Sequence, residues 1–366
     1  MTLFGPDNLP YGVFSVPGGP HRIGVRLGDA VLDLSRHAPW DELRAPTLNP
    51  LLAQGRPRWT EVRAWIAGAL PSLPAVPLDE VRLHLPFEVA DYTDFYSSEH
   101  HAANVSRILR PGEPPLPPHW KRLPIGYHGR AGTVVVSGTP VARPHGQLGP
   151  GDFGPSRRLD IEAEVGFVVG VPGCRVPTAG FAGHVFGVVL VNDWSARDIQ
   201  AYEYRPLGPF LGKSFATSIS PWVVPLDALE PVTPGPQEPQ PLPYLLPPGP
   251  GYDIRLSVSW NGTEVSRPPF AGMYWTAAQQ LAHLTANGAT VRTGDLFASG
   301  TVSGPERAET GSFLELTANG QEPVRLADGT SRGFLEDGDT VTIAATAAGS
   351  AGGTIGLGSV SGTVCS

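Results

Sequence analysis

The fold is decided by residues 191–222, which read V-N-D-W-S-A-R-D-I-Q-A-Y-E-Y-R-P-L-G-P-F-L-G-K-S-F-A-T-S-I-S-P-W. An apolar run at residues 184–191 leads into this stretch, and its short length and β-branched side chains predict a buried strand. Asn192 and Asp193 follow directly, so polar side chains stand where a core strand meets the surface. The stretch therefore predicts a core strand that ends in a carboxylate.

A helix is predicted directly after this strand. Ser195 is placed to cap its N-terminus together with Asp198, and Pro206 is expected to end it. Three side chains with i, i+3, i+7 spacing share one face of this helix: Arg197, Gln200 and Tyr204. A cation, an amide and a phenol beside a carboxylate suit an anionic, oxygen-rich ligand. A solvated helix face would show the same pattern, so this segment alone leaves both interpretations open.

Composition narrows the class of protein. The 366 residues include 45 Gly and 41 Pro, but 41% hydrophobic residues and 8 Trp indicate a folded chain with many turns between short strands. The net charge of −8 has no basic cluster, which argues against a nucleic-acid partner. With only Cys174 and Cys365, no signal peptide and no membrane-length apolar run, we expect a cytoplasmic, β-rich protein without a membrane partner.

Residues 1–88 are predicted to form a small unit of their own. Short β-type segments at 12–16, 22–27 and 30–34 are separated by Gly- and Pro-containing turns, and a helix is predicted at 60–69. This unit contains no cluster of acid, base and nucleophile. We therefore interpret it as an accessory barrel and place the chemistry in residues 89–366.

The first chemically informative segment is D-Y-T-D-F-Y-S-S-E-H-H-A-A-N-V, at residues 91–105. Ser97 or Ser98 is a suitable N-cap for the helix that follows. Three candidate functional side chains lie in the approach to this helix and in its first turns: Asp94, Tyr96 and His101. A single histidine on a helix is usually structural or exposed, and the neighbouring carboxylate and phenol favour an acid–base role only modestly.

The next informative strand is L-D-I-E-A-E-V-G-F-V-V, at residues 159–169. Alternation along a strand places its acidic side chains on one face: Asp160, Glu162 and Glu164. An exposed sheet face would look equally acidic. However, Glu162, Glu164, Asp94 and Asp193 can supply oxygen ligands to one hard cation. Two distant cysteines exclude a thiolate site, and the H-E-x-x-H zinc spacing is absent.

The remaining chain is predicted to be mostly β-structure. A Pro-rich passage at residues 230–250 is either a semi-rigid surface connection or a recognition motif for an SH3-like partner. Asn261-Gly262 predicts a hairpin turn, and Thr276 with Gln279 predicts a helix cap. The last predicted strands lie near residues 334–335 and 340–344.

Two polar residues in this region stand out from their surroundings. Thr301 follows a core strand in a Gly-flanked loop and can offer a hydroxyl to a ligand. Glu315 lies between apolar neighbours, where a carboxylate requires a partner.

The motifs beyond residue 90 resemble those of the fumarylacetoacetate hydrolase family. The similarity is carried, in the order typical of the family, by D-Y-T-D-F-Y-S-S (91–98), L-P-I-G-Y-H-G-R-A (123–131), L-D-I-E-A-E (159–164), N-D-W-S-A-R-D-I-Q (192–200), P-L-G-P-F-L-G-K-S-F (206–215) and A-S-G-T-V-S-G-P-E (298–306). The resemblance implies a mainly β, α+β fold with an N-terminal SH3-like barrel domain (1–88). The catalytic domain (89–366) would be a mixed β-sandwich roll, and the protein a homodimer.

The resemblance also implies roles for individual residues. The implied metal site, for Ca²⁺ and/or Mg²⁺, comprises Asp94, Glu162, Glu164 and Asp193, with Lys213 and Thr217 at an associated magnesium site. The implied catalytic groups are His101 as base, Glu315 that orients it, and Arg197, Gln200 and Lys213 for developing negative charge. The implied substrate contacts are Tyr96, Arg110, Tyr127, Arg197, Gln200, Tyr204 and Thr301. Near the implied base, Glu99-His100 is the one place where the sequence departs from the family pattern.

The activity implied by the resemblance is metal-dependent hydrolysis of a carbon–carbon bond in a diketo acid. The expected reaction converts 4-fumarylacetoacetate to fumarate and acetoacetate, the last step of tyrosine and phenylalanine catabolism through homogentisate. Two alternatives are a related hydrolase or decarboxylase acting on an acylpyruvate or another oxo acid, and a cation-binding β-module without catalysis. Cation binding alone does not require His101 and Glu315, which favours an enzyme.

Overall fold

A computed structural model describes residues 2–366 as a set of β-sheets with short helices. The strands up to residue 174 are β1 (Tyr11–Ser15), β2 (Arg22–Leu27), β3 (Ala30–Asp33), β4 (Ala75–Pro77), β5 (Arg82–His84), β6 (Tyr92–Phe95), β7 (Gly126–His128), β8 (Val134–Val136), β9 (Val141–Ala142), β10 (His145–Gly149), β11 (Asp152–Pro155), β12 (Leu159–Asp160), β13 (Ala163–Val169) and β14 (Gly173–Cys174).

The later strands are β15 (Val185–Asp193), β16 (Ser195–Ala196), β17 (Thr217–Ile219), β18 (Trp222–Pro225), β19 (Pro231–Val232), β20 (Gly251–Tyr252), β21 (Ile254–Trp260), β22 (Thr263–Ser266), β23 (Thr290–Val291), β24 (Leu296–Ala298), β25 (Val324–Arg325), β26 (Ser331–Arg332), β27 (Thr340–Ala348) and β28 (Thr354–Cys365). The α-helices are α1 (Asn49–Leu52), α2 (Arg56–Ala69), α3 (Glu99–Leu109), α4 (Phe181–His184), α5 (Arg197–Glu203), α6 (Leu211–Ser214), α7 (Ala277–Thr285) and α8 (Phe313–Leu316). The predicted mainly β, α+β fold class is confirmed. Within residues 2–366, no helix is long and apolar enough to cross a membrane.

The largest sheet runs through both parts of the chain. Its main path is β4-β3-β2-β1-β18-β15-β13-β24-β6-β7, with β5 beside β1 and β17 beside β15 and β8. The N-terminal strands join the later ones where β1 pairs with β18, with Tyr11 opposite Val223. The two parts therefore share one hydrogen-bonded framework, and the domain division at residues 1–88 and 89–366 remains a prediction.

The centre of this sheet is buried on both faces. One core contains Phe167, Val188 and Leu190 and includes residues of the sheet β22-β21-β27-β28-β9. The other contains Val168, Val189 and Val191 together with apolar residues of the N-terminal part. All nine residues of β15 are buried. A strand covered on both sides reads as a continuous apolar run, which explains why residues 184–191 predicted this element so clearly.

The helix after β15 differs from its prediction. It begins at Arg197 and has no side-chain cap, so the predicted cap by Ser195 and Asp198 is wrong. The physical reason is that Ser195 belongs to strand β16, which pairs with β12, and its hydroxyl donates to the carbonyl of Asp193. Asp198 instead accepts hydrogen bonds from the loop before β12. The helix ends at residue 203, before Pro206.

Several other local predictions agree with the structure. Three are confirmed directly: the Ser98 cap of α3, the Asn261-Gly262 turn between β21 and β22, and the Thr276–Gln279 capping box of α7. The helix predicted at 60–69 is also present, but it begins at Arg56, because Pro57 is well tolerated in the first turn.

Strand β28 is a long element that the sequence-based expectations missed. It has 12 residues, pairs with β27 and β9, and completes the five-stranded sheet. Its glycines lower the strand propensity of the segment, but one of them is sterically required. A Cβ at Gly362 would lie 2.5 Å from the ring of Trp194. The strand predicted near 334–335 is wrong, since Leu335 makes only an isolated bridge to Leu159.

Candidate active site

Strand ends at one end of the central sheet bring the predicted carboxylates together. Asp94 lies in β6, Glu164 near the start of β13, and Asp193 at the end of β15. Strand β24 runs antiparallel to β13 and parallel to β6. The start of β13 and the end of β6 therefore lie at the same edge of the sheet. The backbone N–H of Asp193 also donates to the carbonyl oxygen of Glu162 at 3.1 Å. The topology of the sheet thus assembles side chains that are far apart in sequence.

The acidic alternation at residues 159–169 is buried. Asp160, Glu162 and Glu164 are 0%, 5% and 0% exposed. The alternative of a solvated acidic sheet face is therefore wrong. Arg197 and the short helix α8 cover this side, and both donate hydrogen bonds to Asp160.

Four buried carboxylates form the centre of the candidate site. Their ligand atoms lie within 4.8 Å of one another: Asp94, Glu162, Glu164 and Asp193. Among residues 2–366, nothing donates a hydrogen bond to either carboxylate oxygen of Glu164 or to Oδ1 of Asp94. Buried carboxylate oxygens without donors are costly, and a hard divalent cation binds oxygen ligands of this kind. The residues therefore fit such a cation.

Cationic side chains of the protein offset the negative charge of Glu162 and Asp193 but not that of the other two carboxylates. Lys213 Nζ donates to Glu162 Oε2 at 2.5 Å and to Asp193 Oδ2 at 2.6 Å. Burial opposes ionisation of Glu162, but Lys213 and Arg197 outweigh it and lower its pKa. Burial and neighbouring carboxylates raise the pKa of Asp94 and Glu164 well above the usual range. The Asp94–Glu164 side therefore lacks a positive charge that a bound cation would provide.

This imbalance predicts a pH-dependent stability in the metal-free protein. The folded-state pKa of Glu164 lies above its ordinary value of 4.5, so stability is lost as the pH rises above that value. Glu164→Gln is therefore expected to increase the free energy of unfolding, and its advantage should grow with pH. Urea unfolding with a chelator at several pH values measures this difference. Glu61→Gln, at a side chain 59% exposed, is the control, and a pH-independent effect of Glu164→Gln would contradict the explanation.

His101 and Glu315 form a buried pair beside the carboxylates. Nδ1 of His101 is 2.6 Å from Oε2 of Glu315, although the two residues are 214 positions apart. Nε2 of His101 lies 3.7 Å from Oε1 of Glu162. A carboxylate at Nδ1 favours the tautomer with the proton on that nitrogen. Nε2 is then left as a proton acceptor on the side of the carboxylate cluster.

Glu315 is held by more donors than the sequence indicated. Its carboxylate accepts hydrogen bonds from Asn104 at 2.9 Å, Ser303 at 3.0 Å and Ser312 at 2.7 Å. Burial opposes its ionisation, but His101, Asn104 and Ser312 lower the pKa of Glu315. The carboxylate is thus kept ionised and fixed in direction. Asn104 and Ser303 were missed because their positions have no distinctive spacing relative to residue 315. Ser312 could have been found, because it stands three residues before Glu315 in the S-x-x-E spacing of a capping box.

Arg197 and Gln200 lie close together, as the helix spacing predicted. Arg197 is 6% exposed, and its guanidinium contacts Asp160, Glu162 and Gln200. Arg197 Nη1 donates to Gln200 Oε1 at 3.1 Å. Because that oxygen already accepts a hydrogen bond, the amide N–H groups of Gln200 are directed elsewhere and remain available as donors. The face is therefore buried and internally paired, so the solvated-helix alternative is wrong for Arg197.

The other predicted ligand-binding residues near the site differ in the partners of their side chains. Tyr127 donates to Asp193 Oδ2 at 2.9 Å, and Thr217 donates to Asp193 Oδ1 at 3.1 Å. The buried Thr301 hydroxyl has no hydrogen-bond partner in the described part of the chain. The ring of Tyr96 meets His101 edge-on at 5.4 Å. These four residues remain predictions as substrate or metal contacts.

Two predicted substrate contacts instead have partners outside the carboxylate cluster. Arg110 follows the C-terminal end of α3, with its Nε 3.9 Å from Glu113. The Tyr204 phenol accepts a hydrogen bond from Arg205 at 2.7 Å. Neither contact links its side chain to the four carboxylates. Their roles in substrate binding therefore remain predictions.

A cavity of about 360 Å³ lies next to this site. Its lining includes Tyr127 and Lys213, which both contact Asp193, and also Arg130 and Phe210. The Phe210 side chain is largely exposed. The cavity therefore meets the buried cluster at the side chains of Tyr127 and Lys213.

The site combines a carboxylate-lined centre suited to a metal ion with a buried histidine–glutamate pair, and the family models that match the chain identify it as a hydrolase. Residues 7–86 match the family model described as Fumarylacetoacetase N-terminal, and residues 91–364 match Fumarylacetoacetate (FAA) hydrolase C-terminal. The chain belongs to the fumarylacetoacetate hydrolase family.

Named relatives agree with this assignment. The chain is 47% identical to the fumarylacetoacetase of Homo sapiens, covering 98% of this chain and 95% of the relative. It is 44% identical to that of Arabidopsis thaliana, with coverage of 98% and 94%. Among solved structures, a fumarylacetoacetate hydrolase from Exiguobacterium antarcticum matches with a TM-score of 0.61 at 18% identity, covering 98% of this chain and 99% of that one. A maleylpyruvate hydrolase from Sphingobium has a TM-score of 0.59 at 18% identity, with coverage of 97% and 100%.

Proposed function

We propose that the protein hydrolyses the carbon–carbon bond of 4-fumarylacetoacetate to give fumarate and acetoacetate. The observation that carries the proposal is the His101–Glu315 pair directly beside four buried carboxylates. The near full-length relatives named fumarylacetoacetase support the substrate. The reaction would complete tyrosine and phenylalanine degradation through homogentisate. We place it in the cytoplasm and assign it to a homodimer.

The proposed metal ligands are Asp94, Glu162, Glu164 and Asp193. Their oxygen donors suit Ca²⁺ or Mg²⁺. When bound, such a cation polarises substrate oxygens and favours the enolate form of a leaving group. Lys213 and Thr217 hydrogen-bond to the proposed ligands and orient them from outside.

The proposed base is Nε2 of His101. Glu315 holds the proton on Nδ1, so Nε2 accepts a proton from a water molecule in the site. The resulting hydroxide attacks the carbonyl carbon of the fumaryl group, the carbon that becomes the new carboxylate of fumarate. The imidazolium that forms is stabilised by the ionised Glu315 carboxylate. Burial of this pair, with His101 only 3% exposed, keeps bulk water from competing for these hydrogen bonds.

Negative charge on the attacked carbonyl oxygen needs donors. The free amide N–H groups of Gln200 are one source. Lys213 is another, because an ammonium has three N–H groups and carboxylates occupy two of them. Arg197 fixes Gln200 and adds positive charge nearby. A single donor of this kind is typically worth about 3 kcal/mol in the transition state.

Collapse of the tetrahedral intermediate breaks the carbon–carbon bond. The electron pair remains on the acetoacetate fragment, which leaves as an enolate. The His101 imidazolium returns the proton to the carbon of this fragment. The fumaryl fragment leaves with a new carboxylic acid group, which releases its proton to solvent to give fumarate. One water molecule is consumed, and both the base and its Glu315 partner return to their starting states.

The direct test is incubation of the purified protein with fumarylacetoacetate while both products are measured. We expect equimolar fumarate and acetoacetate, loss of activity with a chelator, and recovery when Mg²⁺ or Ca²⁺ is added. Acetylpyruvate serves as the competing substrate for the acylpyruvate hydrolase alternative. Absence of metal-dependent fumarate release, or a preference for acetylpyruvate, would overturn the proposed substrate.

A further inference from the structure

Asp160 is a buried carboxylate in the first strand of the acidic segment, outside the four proposed metal ligands. It is 0% exposed, and four donors surround it. Oδ1 accepts from the backbone N–H groups of Ile161 at 2.7 Å and Phe313 at 2.7 Å. Oδ2 accepts from the Leu314 N–H at 3.0 Å and from Arg197 Nε at 2.8 Å. This number of donors is what a fully buried carboxylate requires.

The donors to Asp160 include residues from two different parts of the site, Arg197 and the start of helix α8. Arg197 lies 37 positions away and fixes Gln200 and Glu162 with its other nitrogens. Phe313 lies 153 positions away and begins the short helix α8. That helix carries Glu315, which in turn holds His101. A single rigid carboxylate thus contacts the support of the charge-stabilising groups and the support of the base.

The contacts to α8 also hold the orientation of this short helix. Asp160 accepts the first two N–H groups of this helix, which have no partners within a helical turn. Without that acceptor, only Ser312 would cap the helix start. Rotation of such a short helix would move the Glu315 carboxylate relative to His101. The 2.6 Å hydrogen bond between them leaves little room for that movement.

We infer that Asp160 is a positioning residue that couples the two halves of the site. Its carboxylate fixes the guanidinium of Arg197 and, through the Phe313 and Leu314 amides, the direction of Glu315. The inference rests on the proposed function for its effect on turnover. Its structural part concerns the His101–Glu315 hydrogen bond and does not depend on which substrate is used.

The test is Asp160→Asn in the full-length protein. An asparagine keeps only one acceptor oxygen, and its NH₂ group then faces either the N–H groups of Ile161 and Phe313 or the Leu314 N–H and Arg197 Nε. We expect the variant to bind metal at the wild-type stoichiometry while kcat falls about 10- to 100-fold, as for other residues that orient active-site groups from outside. We also expect a shift of the downfield proton resonance of His101 Nδ1–H, identified by its loss in His101→Asn.

The matched control is Asp198→Asn. Asp198 is an aspartate of the adjacent helix α5 that also accepts hydrogen bonds from a hydroxyl and a backbone N–H, but these lie outside the site. It should leave both kcat and the resonance unchanged. A folded Asp160→Asn protein with wild-type kcat and an unshifted resonance would overturn the inference.

A second variant covers the case in which Asp160→Asn does not fold. Arg197→Lys removes the Nε donor to Asp160 and keeps the positive charge, so coupling predicts a shifted His101 resonance there as well. An unshifted resonance in Arg197→Lys would show that the halves are independent. If the wild-type protein releases no fumarate, the proposed function fails, but the resonance still decides the role of Asp160.

Discussion

Replacing His101 with Asn is expected to lower kcat by roughly 10³-fold, the middle of the range for loss of a general base. The asparagine amide can keep a hydrogen bond to Glu315, so the buried carboxylate is not left without a donor. It cannot accept a proton from water at neutral pH. The fold and metal binding should therefore be retained. Steady-state rates of fumarate release, with metal stoichiometry measured on the same preparation, provide the measurement.

His100 supplies the control for this substitution. It precedes His101 in the first turn of α3, and its neighbour Glu99 forms an ion pair with Lys121 at 2.6 Å, away from the His101–Glu315 contact. His100→Asn should keep wild-type turnover. Near-normal turnover in His101→Asn would exclude His101 as the base, whereas loss of turnover in His100→Asn would assign a function to the departure from the family pattern at Glu99-His100.

The second large effect is expected when one of the four carboxylates is neutralised. Asp94→Asn removes charge from a buried ligand whose Oδ1 has no donor in the described residues. Loss of metal assistance worth about 4 kcal/mol corresponds to roughly 10³-fold in kcat/KM. The same variant should lose the stabilisation that a cation gives by binding only the folded state. Thermal unfolding with and without added Mg²⁺ or Ca²⁺ measures that loss independently of turnover.

Asp91→Asn is the matched control for Asp94. Asp91 lies three residues earlier in the same segment, and its side chain is 50% exposed. It should retain both the metal-dependent rise in Tm and the activity. If Asp94→Asn still shows the full metal-dependent rise in Tm, the four carboxylates are not the metal site, even if turnover is lost.

The predictions made from the sequence were most successful where residue chemistry and hydrophobic periodicity indicated the same structure. Residues 184–191 read as a buried strand because both faces of β15 are covered, and all its residues are indeed buried. The four carboxylates were grouped by their suitability for a hard cation, and the structure brings their oxygens within 4.8 Å. The pairing of His101 with Glu315 came from the family resemblance, since no local pattern connects residues 214 positions apart.

The failures have equally specific causes. Ser195 and Asp198 matched a helix cap, but tertiary pairing of β16 with β12 prevailed over the local pattern. β28 escaped notice because glycine is a poor strand former, and only the position of Trp194 reveals why Gly362 is needed. Asp160 looked like one more acidic residue on an alternating strand. Its importance depends on Arg197 and on the amides of α8, which the strand pattern does not contain.

The long separation between the members of the site has a consequence for how the protein folds. His101 must meet Glu315 across 214 positions, and Asp160 must meet Phe313 across 153. Contacts that close such long loops carry a high entropic cost and form slowly. We therefore expect the cation site to appear only in the last phase of refolding. Metal uptake would then report complete folding, and partly folded intermediates would be inactive.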